Sequence, residues 1–380
     1  SGVTFGMPEP LVTSTPPASS SQIEQPTPDV DNQSALNNTF HASTPLLTAV
    51  STDRLKIESV LTPLSGLYFG FGELWQINSL GKQVQIYDKS IDNISPDGGW
   101  ALVNSLGDYW IINLQTRELL KLTMTPERTE CCASWWPAIP GMILFNSSQT
   151  GPTPQPLGNN GRLSIIEASG LGYKVLDENH GSAYPPAPSP DGQWIAYGTD
   201  EESYLYRWND GPHVFRPAEY GLDSLKGQSL SYPSWSPDGR YLAWNWSSML
   251  NVGLQAGVAV FDIQNKTARM LHVYEPEGDT FYGGPLKWSS DGRWLKFAAA
   301  DKVSTQNGLW LVSINGPEDQ EIHLTDTTHY RGIWNPDGRF LVLTADEAPA
   351  AGSFYLIEVN TWAIRRFAIP GGIASIYDWK

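Results

Sequence analysis

Short alternating runs of apolar and polar residues recur from residue 63 onward, each closed by Gly, Pro, Asp or Asn. In one stretch Tyr241-Leu242-Ala243-Trp244, Val258-Ala259-Val260-Phe261 and Ala268-Arg269-Met270-Leu271 follow one another, with a short turn at Gln264-Asn265-Lys266. Alternation of this length between turn formers predicts half-buried β-strands. Trp110-Ile111-Ile112 with Leu119-Leu120-Lys121-Leu122, and Trp310-Leu311-Val312 with Glu321-Ile322-His323-Leu324, repeat the arrangement.

The turns repeat as well. Ser95-Pro96-Asp97-Gly98, Ser189-Pro190-Asp191-Gly192, Ser236-Pro237-Asp238-Gly239, Ser289-Ser290-Asp291-Gly292 and Asn335-Pro336-Asp337-Gly338 share one pattern. Their Asp-to-Asp steps are 94, 47, 53 and 46 residues. The first step is double the second, so a degenerate copy is expected near residue 144. Trp135-Trp136-Pro137-Ala138-Ile139-Pro140-Gly141, followed by Met142-Ile143-Leu144-Phe145, fills it. Pro presets φ at the second turn position, Asp bonds nearby backbone, and Gly tolerates left-handed angles. Trp235, Trp288 and Trp334 precede the turn and strand residues follow it, which predicts a hairpin.

Four strands in a unit of about 45 residues make one propeller blade. Ahead of the first motif, Leu67-Tyr68-Phe69, Leu74-Trp75-Gln76-Ile77 and Val84-Gln85-Ile86-Tyr87 form a unit lacking its inner strand. The final residues, Ile373-Ala374-Ser375-Ile376-Tyr377-Asp378-Trp379-Lys380, read as that strand, with Trp379 in the place of Trp235. The expected fold is all-β: a seven-bladed β-propeller of four-stranded blades, the first closed by the C-terminal strand. Six blades is the alternative count, if the partial unit is only a decoration. Closure removes the exposed sheet edges that invite aggregation.

The repeat of aromatic, Ser-Pro-Asp-Gly-Arg, aromatic, Leu or Ile, Ala resembles the WD-repeat-like propeller motif of the TolB family. Trp235 to Trp244 and Trp334 to Leu343 are its nearest copies, and the resemblance covers residues 63–380. It implies the propeller fold. For function it implies a choice among periplasmic scaffolds, lipoprotein domains, peptidase propellers and sugar lyases, since fold does not set function.

Composition narrows that choice. Aromatics make up 12% of the chain with 16 Trp, beside 35 Gly and 29 Pro, as suits a turn-rich β protein and not a coiled coil. A net charge of −16 repels phosphate backbones, so nucleic acid is not an expected partner. No apolar run reaches the roughly 20 residues a membrane-spanning helix needs. Cys131 and Cys132 are adjacent, which excludes a disulfide framework and a CxxC zinc cage. They read as two small buried hydrophobes, with a strained redox pair as the sharper alternative.

Residues 1–53 differ from the rest, with clusters such as Ser14-Thr15-Pro16-Pro17 and no Lys or Arg before Arg54. Such a segment buries too little apolar surface to offset its ordering entropy. The expected division is a Pro/Ser/Thr-rich linker or tail at 1–53 and the propeller at 54–380. The tail would act as a membrane tether, a spacer or an arm that docks on a neighbour. Without an initiating Met or a secretory leader, the chain reads as a mature or trimmed form. Asn32, Asn37 and Asn245 open triplets that fit a glycosylation acceptor.

Little of the sequence reads as catalytic. There is no G-x-S-x-G elbow, and blade closure uses the residues after the tail, so a serine peptidase is not expected. No phosphate loop, dinucleotide fingerprint or calcium loop appears, and no cofactor is implied. Asp97, Asp191, Asp238, Asp291 and Asp337, with Gly98, Gly192, Gly239, Gly292 and Gly338, read as structural turn formers. His180, His272 and His329 precede inner strands and are the weak candidates for a metal of the kind sugar-lyase propellers hold.

Long connections at 148–160 and 247–256 within blades, and at 218–230 and 273–284 between blades, fall on one face. Insertions gathered on one face mark a binding face. Tyr220, Trp246, Met249, Tyr274, Phe281 and Tyr282 lie in or near them and are the partner-binding candidates. The expected function is a non-catalytic, extracytoplasmic protein–protein interaction scaffold, anchored at a surface or part of a larger assembly. The alternative is a carbohydrate-binding or metal-assisted polysaccharide-lyase propeller.

Overall fold

The hairpin motif folds as its composition predicts. In the second copy, Ser189 Oγ donates to Asp191 Oδ1 at 2.5 Å, and Oδ1 accepts the Gln193 N–H at 3.0 Å. The Trp194 N–H then donates to Ser189 Oγ at 2.9 Å. The third copy repeats these bonds with Ser236, Asp238, Arg240 and Tyr241. The last substitutes Asn335 for Ser, and its amide donates to Asp337 and accepts from Phe340. Gly192 and Gly239 sit at φ +76° and +71°, a conformation that costs other residues a Cβ clash. Each Asp thus caps the turn backbone.

The structure is a computed structural model that describes residues 45–49, 55–70, 72–125, 127–149, 161–199, 202–226, 228–250, 253–275, 284–299, 308–314, 320–325, 332–345, 352–369 and 375–380. The strands form seven sheets. Blade 2 runs Asn93–Ile94, Trp100–Ser105, Asp108–Asn113 and Leu119–Lys121 from inside out. Blade 3 spans Arg128–Trp135 to Lys174–Asp177, blade 4 Ala187–Pro188 to Gly211–Val214, and blade 5 Ser229–Trp235 to Thr267–Tyr274. Blade 6 spans Lys287–Trp288 to Glu321–Thr325, and blade 7 Gly332–Trp334 to Ala363–Ala368.

Blade 1 takes its inner strand from the other end of the chain. Ser375–Trp379 pairs antiparallel with Leu67–Gly70, with Leu67 opposite Trp379. The chain is therefore a seven-bladed β-propeller closed by its C-terminal strand. The outer edge of blade 7 is covered by Ile57–Glu58, which pairs parallel with Ala363–Ala368.

The core lies between blades. Seven hydrophobic clusters each draw on two neighbouring sheets. Trp294 and Trp334 share the cluster of blades 6 and 7, while Trp100 and Trp194 pack against the clusters of blades 2–3 and 4–5. The tryptophan before each of the last three motifs also stitches blades together. Trp235 Nε1 donates to the Ala187 carbonyl at 2.9 Å, Trp288 Nε1 to Ser234 at 3.0 Å, and Trp334 Nε1 to Lys287 at 3.4 Å.

Two expectations about connections change. Residues 247–256 are not a long loop: Tyr241–Leu250 and Gly253–Asp262 are ten-residue strands that pair as far as Leu250 opposite Gly253. The alternation simply runs on, which makes a long hairpin. The 218–230 connection is largely folded, with 3-10 turns at Pro217–Tyr220 and Asp223–Leu225. Nearly all of the 1–53 segment lies outside the described residues; within it, the helical turn Leu46–Ala49 brings Leu47 into the blade 6–7 cluster at 2% exposure.

Candidate functional site

The inner strands surround an axial channel of about 790 Å3. The residue just before each motif's aromatic position lines it in every blade. Four blades place Ser134, Ala187, Ser234 or Ile333 there, and a fifth places Asn93. The remaining two carry charge: Asp378 in blade 1 and Lys287 in blade 6. The fold makes these positions equivalent, and the sequence makes them unequal.

An inner strand turns an unpaired backbone edge toward the axis. Pro186, Pro188, Pro233 and Pro285 stand along that edge in blades 4 to 6. Proline has no N–H to offer, so these edges resist strand addition and recognition there falls to side chains. One-residue register shifts put an extra residue into the inner strands of blades 3 and 5. Cys132 and Tyr232 occupy them at φ +61° and +50°. Such bulges re-aim a side chain. The Tyr232 ring meets Tyr184 at 4.5 Å, and burial, then the nearby Cys132, raises its phenol above the ordinary value.

Cys131 and Cys132 are free, half-buried thiols joined by a hydrogen bond that Cys132 donates. That donation keeps the Cys132 thiol protonated. Asp92 lies at the channel wall nearby, and burial raises its carboxyl.

The charged positions of the ring differ in state. Asp378 is engaged by Lys380 at 2.6 Å. Lys287 has no carboxylate or hydrogen-bond partner for its ammonium among the described residues. Lys287 is exposed to channel solvent, and the protein walls around it lower its pKa against the pull of Asp378. Lys296 lies directly across the hairpin from Lys287 and is only 7% exposed. Burial, then repulsion from Lys287, pushes the Lys296 ammonium down to about 8.

The candidate residues chosen from the sequence do not assemble around this channel. Tyr220, Trp246 and Tyr274, expected on an exposed face, are buried at 5%, 3% and 5%. Tyr220 packs on Phe215 and Phe261 and carries Lys266 over its ring. Trp246 joins the cluster of blades 4 and 5, and Tyr274 that of blades 5 and 6. Trp246 and Tyr274 fill blade interfaces because their strands run further than the loop reading assumed, and Tyr220 does so from the 3-10 turn Pro217–Tyr220. The Met249 side chain, Phe281, Tyr282 and His329 lie outside the described residues.

His180 and His272 are held in separate blade neighbourhoods. His180 Nδ1 is 2.9 Å from Asp177 Oδ2, and its ring stacks on Tyr204 at 4.5 Å. His272 is 1% exposed, faces Glu321 at 3.2 Å, and sits among Tyr274, Phe297 and Trp310. Among the described residues, no three His, Cys, Asp or Glu side chains converge as a metal site would need. The acceptor triplet at Asn245 is also folded away: its amide is buried and donates to the Gly284 carbonyl at 2.9 Å.

Lys287 and Asp378 were missed because the repeats were compared through their turns. Aligning the residue before each aromatic would have exposed both as the charged exceptions. Lys296 carried no such signal, since its burial depends on the packing of blade 7.

No protein-family model matches the chain. It is 26% identical over 165 residues to an uncharacterized peptidase, YuxL, of Bacillus subtilis, covering 42% of this chain and 21% of that protein. It is 27% identical over 148 residues to dipeptidyl-peptidase 5 of Porphyromonas gingivalis, covering 35% and 20%. The chain thus spans about a fifth of the length of these relatives. Among solved structures, an oligogalacturonate lyase in complex with manganese superposes with a TM-score of 0.57 at 16% identity, covering 77% of this chain and 85% of that one. At that identity the likeness is one of fold.

Proposed function

We propose that the chain is a non-catalytic, extracytoplasmic protein-binding propeller, tethered at a surface or built into a larger assembly. The observation that carries this reading is the uneven axial ring. A repeat scaffold has no structural need for one cation and one anion among otherwise uncharged equivalents. Prolines on the channel edges and aromatic groups such as Tyr232 and Trp235 beside them favour an extended peptide recognised by side chains. The repeat's resemblance to the TolB family admits this reading beside the lyase alternative. Among the described residues no helix is long and apolar enough to cross a membrane; in this reading the polar segment 1–53 is the tether.

Turnover is disfavoured because the carboxylates and imidazoles at hand have structural work. The motif aspartates cap turns, and His180 and His272 each lean on a carboxylate of their own surroundings. The carbohydrate reading rests on the fold likeness to the lyase, and it makes a different prediction.

The test is chemical cross-linking of the full chain in native envelope, beside a Ser234→Trp variant that fills the channel. A protein cross-linked by the wild type and lost from the variant is the expected result. Equal capture by both would remove the channel from the binding surface. Cleavage of oligogalacturonate by the purified chain with manganese would overturn the non-catalytic reading.

A further inference from the structure

We propose that Lys287, with Lys296 buried across the hairpin behind it, forms a carboxylate-receiving site in the axial channel, occupied by an acidic side chain of an extended peptide segment of the protein partner. This deepens the protein-binding reading and rests on it.

The pair is costly to build. Directly opposed residues on neighbouring strands hold their Cβ atoms about 5 Å apart, and like charges in that relation destabilise the sheet. The chain has 40 acidic residues against 24 basic ones, so counter-ions are plentiful. Even so, neither ammonium has a carboxylate among the described residues. Asp378, whose field does reach Lys287, is taken by Lys380. For Lys296, which is buried, standing unpaired is expensive enough that cores avoid it, whereas Lys287 is exposed to the channel.

The surroundings keep that position open. The Lys296 stem runs beside Gly332 at the start of blade 7, where an added Cβ would lie 3.2 Å from its Cδ. The same Cβ would meet Leu343 Cδ2 closer still, so glycine there makes room for Leu343 first and for the lysine stem second. Lys287 lines the channel and Lys296 does not, so a ligand in the channel meets the Lys287 ammonium before that of Lys296. A carboxylate placed there accepts charge-assisted hydrogen bonds and removes the repulsion between the two lysines. The nearby wall at Pro285 offers no backbone donor, so the lysines would supply the polar anchor.

Binding should also restore the Lys296 proton. Its pKa is low because it is buried beside another cation, and a bound anion reverses the second cause. A site of this kind takes up protons as it fills, at pH near 8.

The experiment uses the full chain and fluorescein-labelled hexaglutamate, with hexaglutamine as the neutral counterpart, read by fluorescence anisotropy. Hexaglutamate should bind, and hexaglutamine should bind at least about tenfold more weakly. Lys287→Met should weaken hexaglutamate by about tenfold or more, Lys287→Arg should retain most of it, and Lys82→Met, a surface charge control, should change nothing. Calorimetry of the same peptide in two buffers of different ionisation enthalpy should show proton uptake at pH 8 that Lys296→Met abolishes. Equal binding of the two peptides, or a Lys287→Met protein that binds like Lys82→Met, overturns the site. An oligogalacturonate that displaces hexaglutamate at lower concentration than hexaglutamate itself overturns the peptide assignment. A cross-linked partner captured equally by wild type and Lys287→Met leaves the protein-binding reading standing and removes only this site.

Discussion

Lys296 has a thermodynamic signature separate from any ligand. Burial and Lys287 hold its ammonium at about 8, against 10.5 in the unfolded chain. Between those values the unfolded state keeps a proton that the folded state has released, so stability rises with pH across that window. Below pH 8 the full cost is present, and above 10.5 it is gone. Lys296→Met should therefore stabilise the protein at pH 7 by up to about 3 kcal/mol, and should flatten stability between pH 8 and 10.5. Urea denaturation of both proteins at pH 7, 8.5 and 10 checks this. A variant with the same pH slope as the wild type would show that Lys296 keeps its ordinary proton. Stability surrendered at one buried group is what a binding site costs a scaffold. At this scale the sequence was least legible. Lys287 could have been read from repeat alignment, whereas the neighbours of Lys296 are set by packing.

The hairpin with its preceding tryptophan is the element that makes a blade and attaches it to the last one. Its turn was readable because Ser, Pro, Asp and Gly each have a backbone reason to stand where they do. The indole bond to the neighbouring blade was not, since no local pattern says where an N–H will point. The bond has an internal control. Trp288 and Trp135 hold equivalent positions at 8% and 7% exposure, but Trp135 Nε1 has no hydrogen-bond partner. Trp288→Phe should cost more than Trp135→Phe by about 1 kcal/mol, because it also orphans the Ser234 carbonyl. Equal losses in urea denaturation would mean the stitch adds nothing beyond ring packing. Three of the aromatic residues picked for a partner, Tyr220, Trp246 and Tyr274, are buried instead of exposed. Trp246 lies on a strand that continues four residues beyond it, to Leu250, so what looked like a loop aromatic is a core one.

At the scale of the whole molecule, repetition made the fold legible and hid the site. Five similar turns, a degenerate copy in the 94-residue gap and a unit lacking its inner strand point to seven blades and their closure, with six left as the alternative. Binding chemistry lies in departures from the repeat, which a search for likeness passes over. The ring's integrity rests on a small joint. Ser375–Trp379 pairs with Leu67–Gly70, and Trp379 sits in the cluster between blades 7 and 1 while its indole donates to the Ser65 carbonyl at 2.8 Å. Removing residues 375–380 leaves blade 1 with three strands and opens the Leu67–Gly70 edge. It also exposes the side chains that Trp379 covered, Leu67 and Phe69 among them. Because closure makes every blade depend on two neighbours, the loss should spread beyond blade 1. The truncated chain should melt at least about 10 °C lower, over a broader transition, and should form higher oligomers through its open edge. Scanning calorimetry with size-exclusion chromatography reads both effects. An unchanged melting temperature with a monomeric profile would mean that the other six blades hold together without the joint, and that the propeller behaves as an open array of neighbours instead of a closed ring.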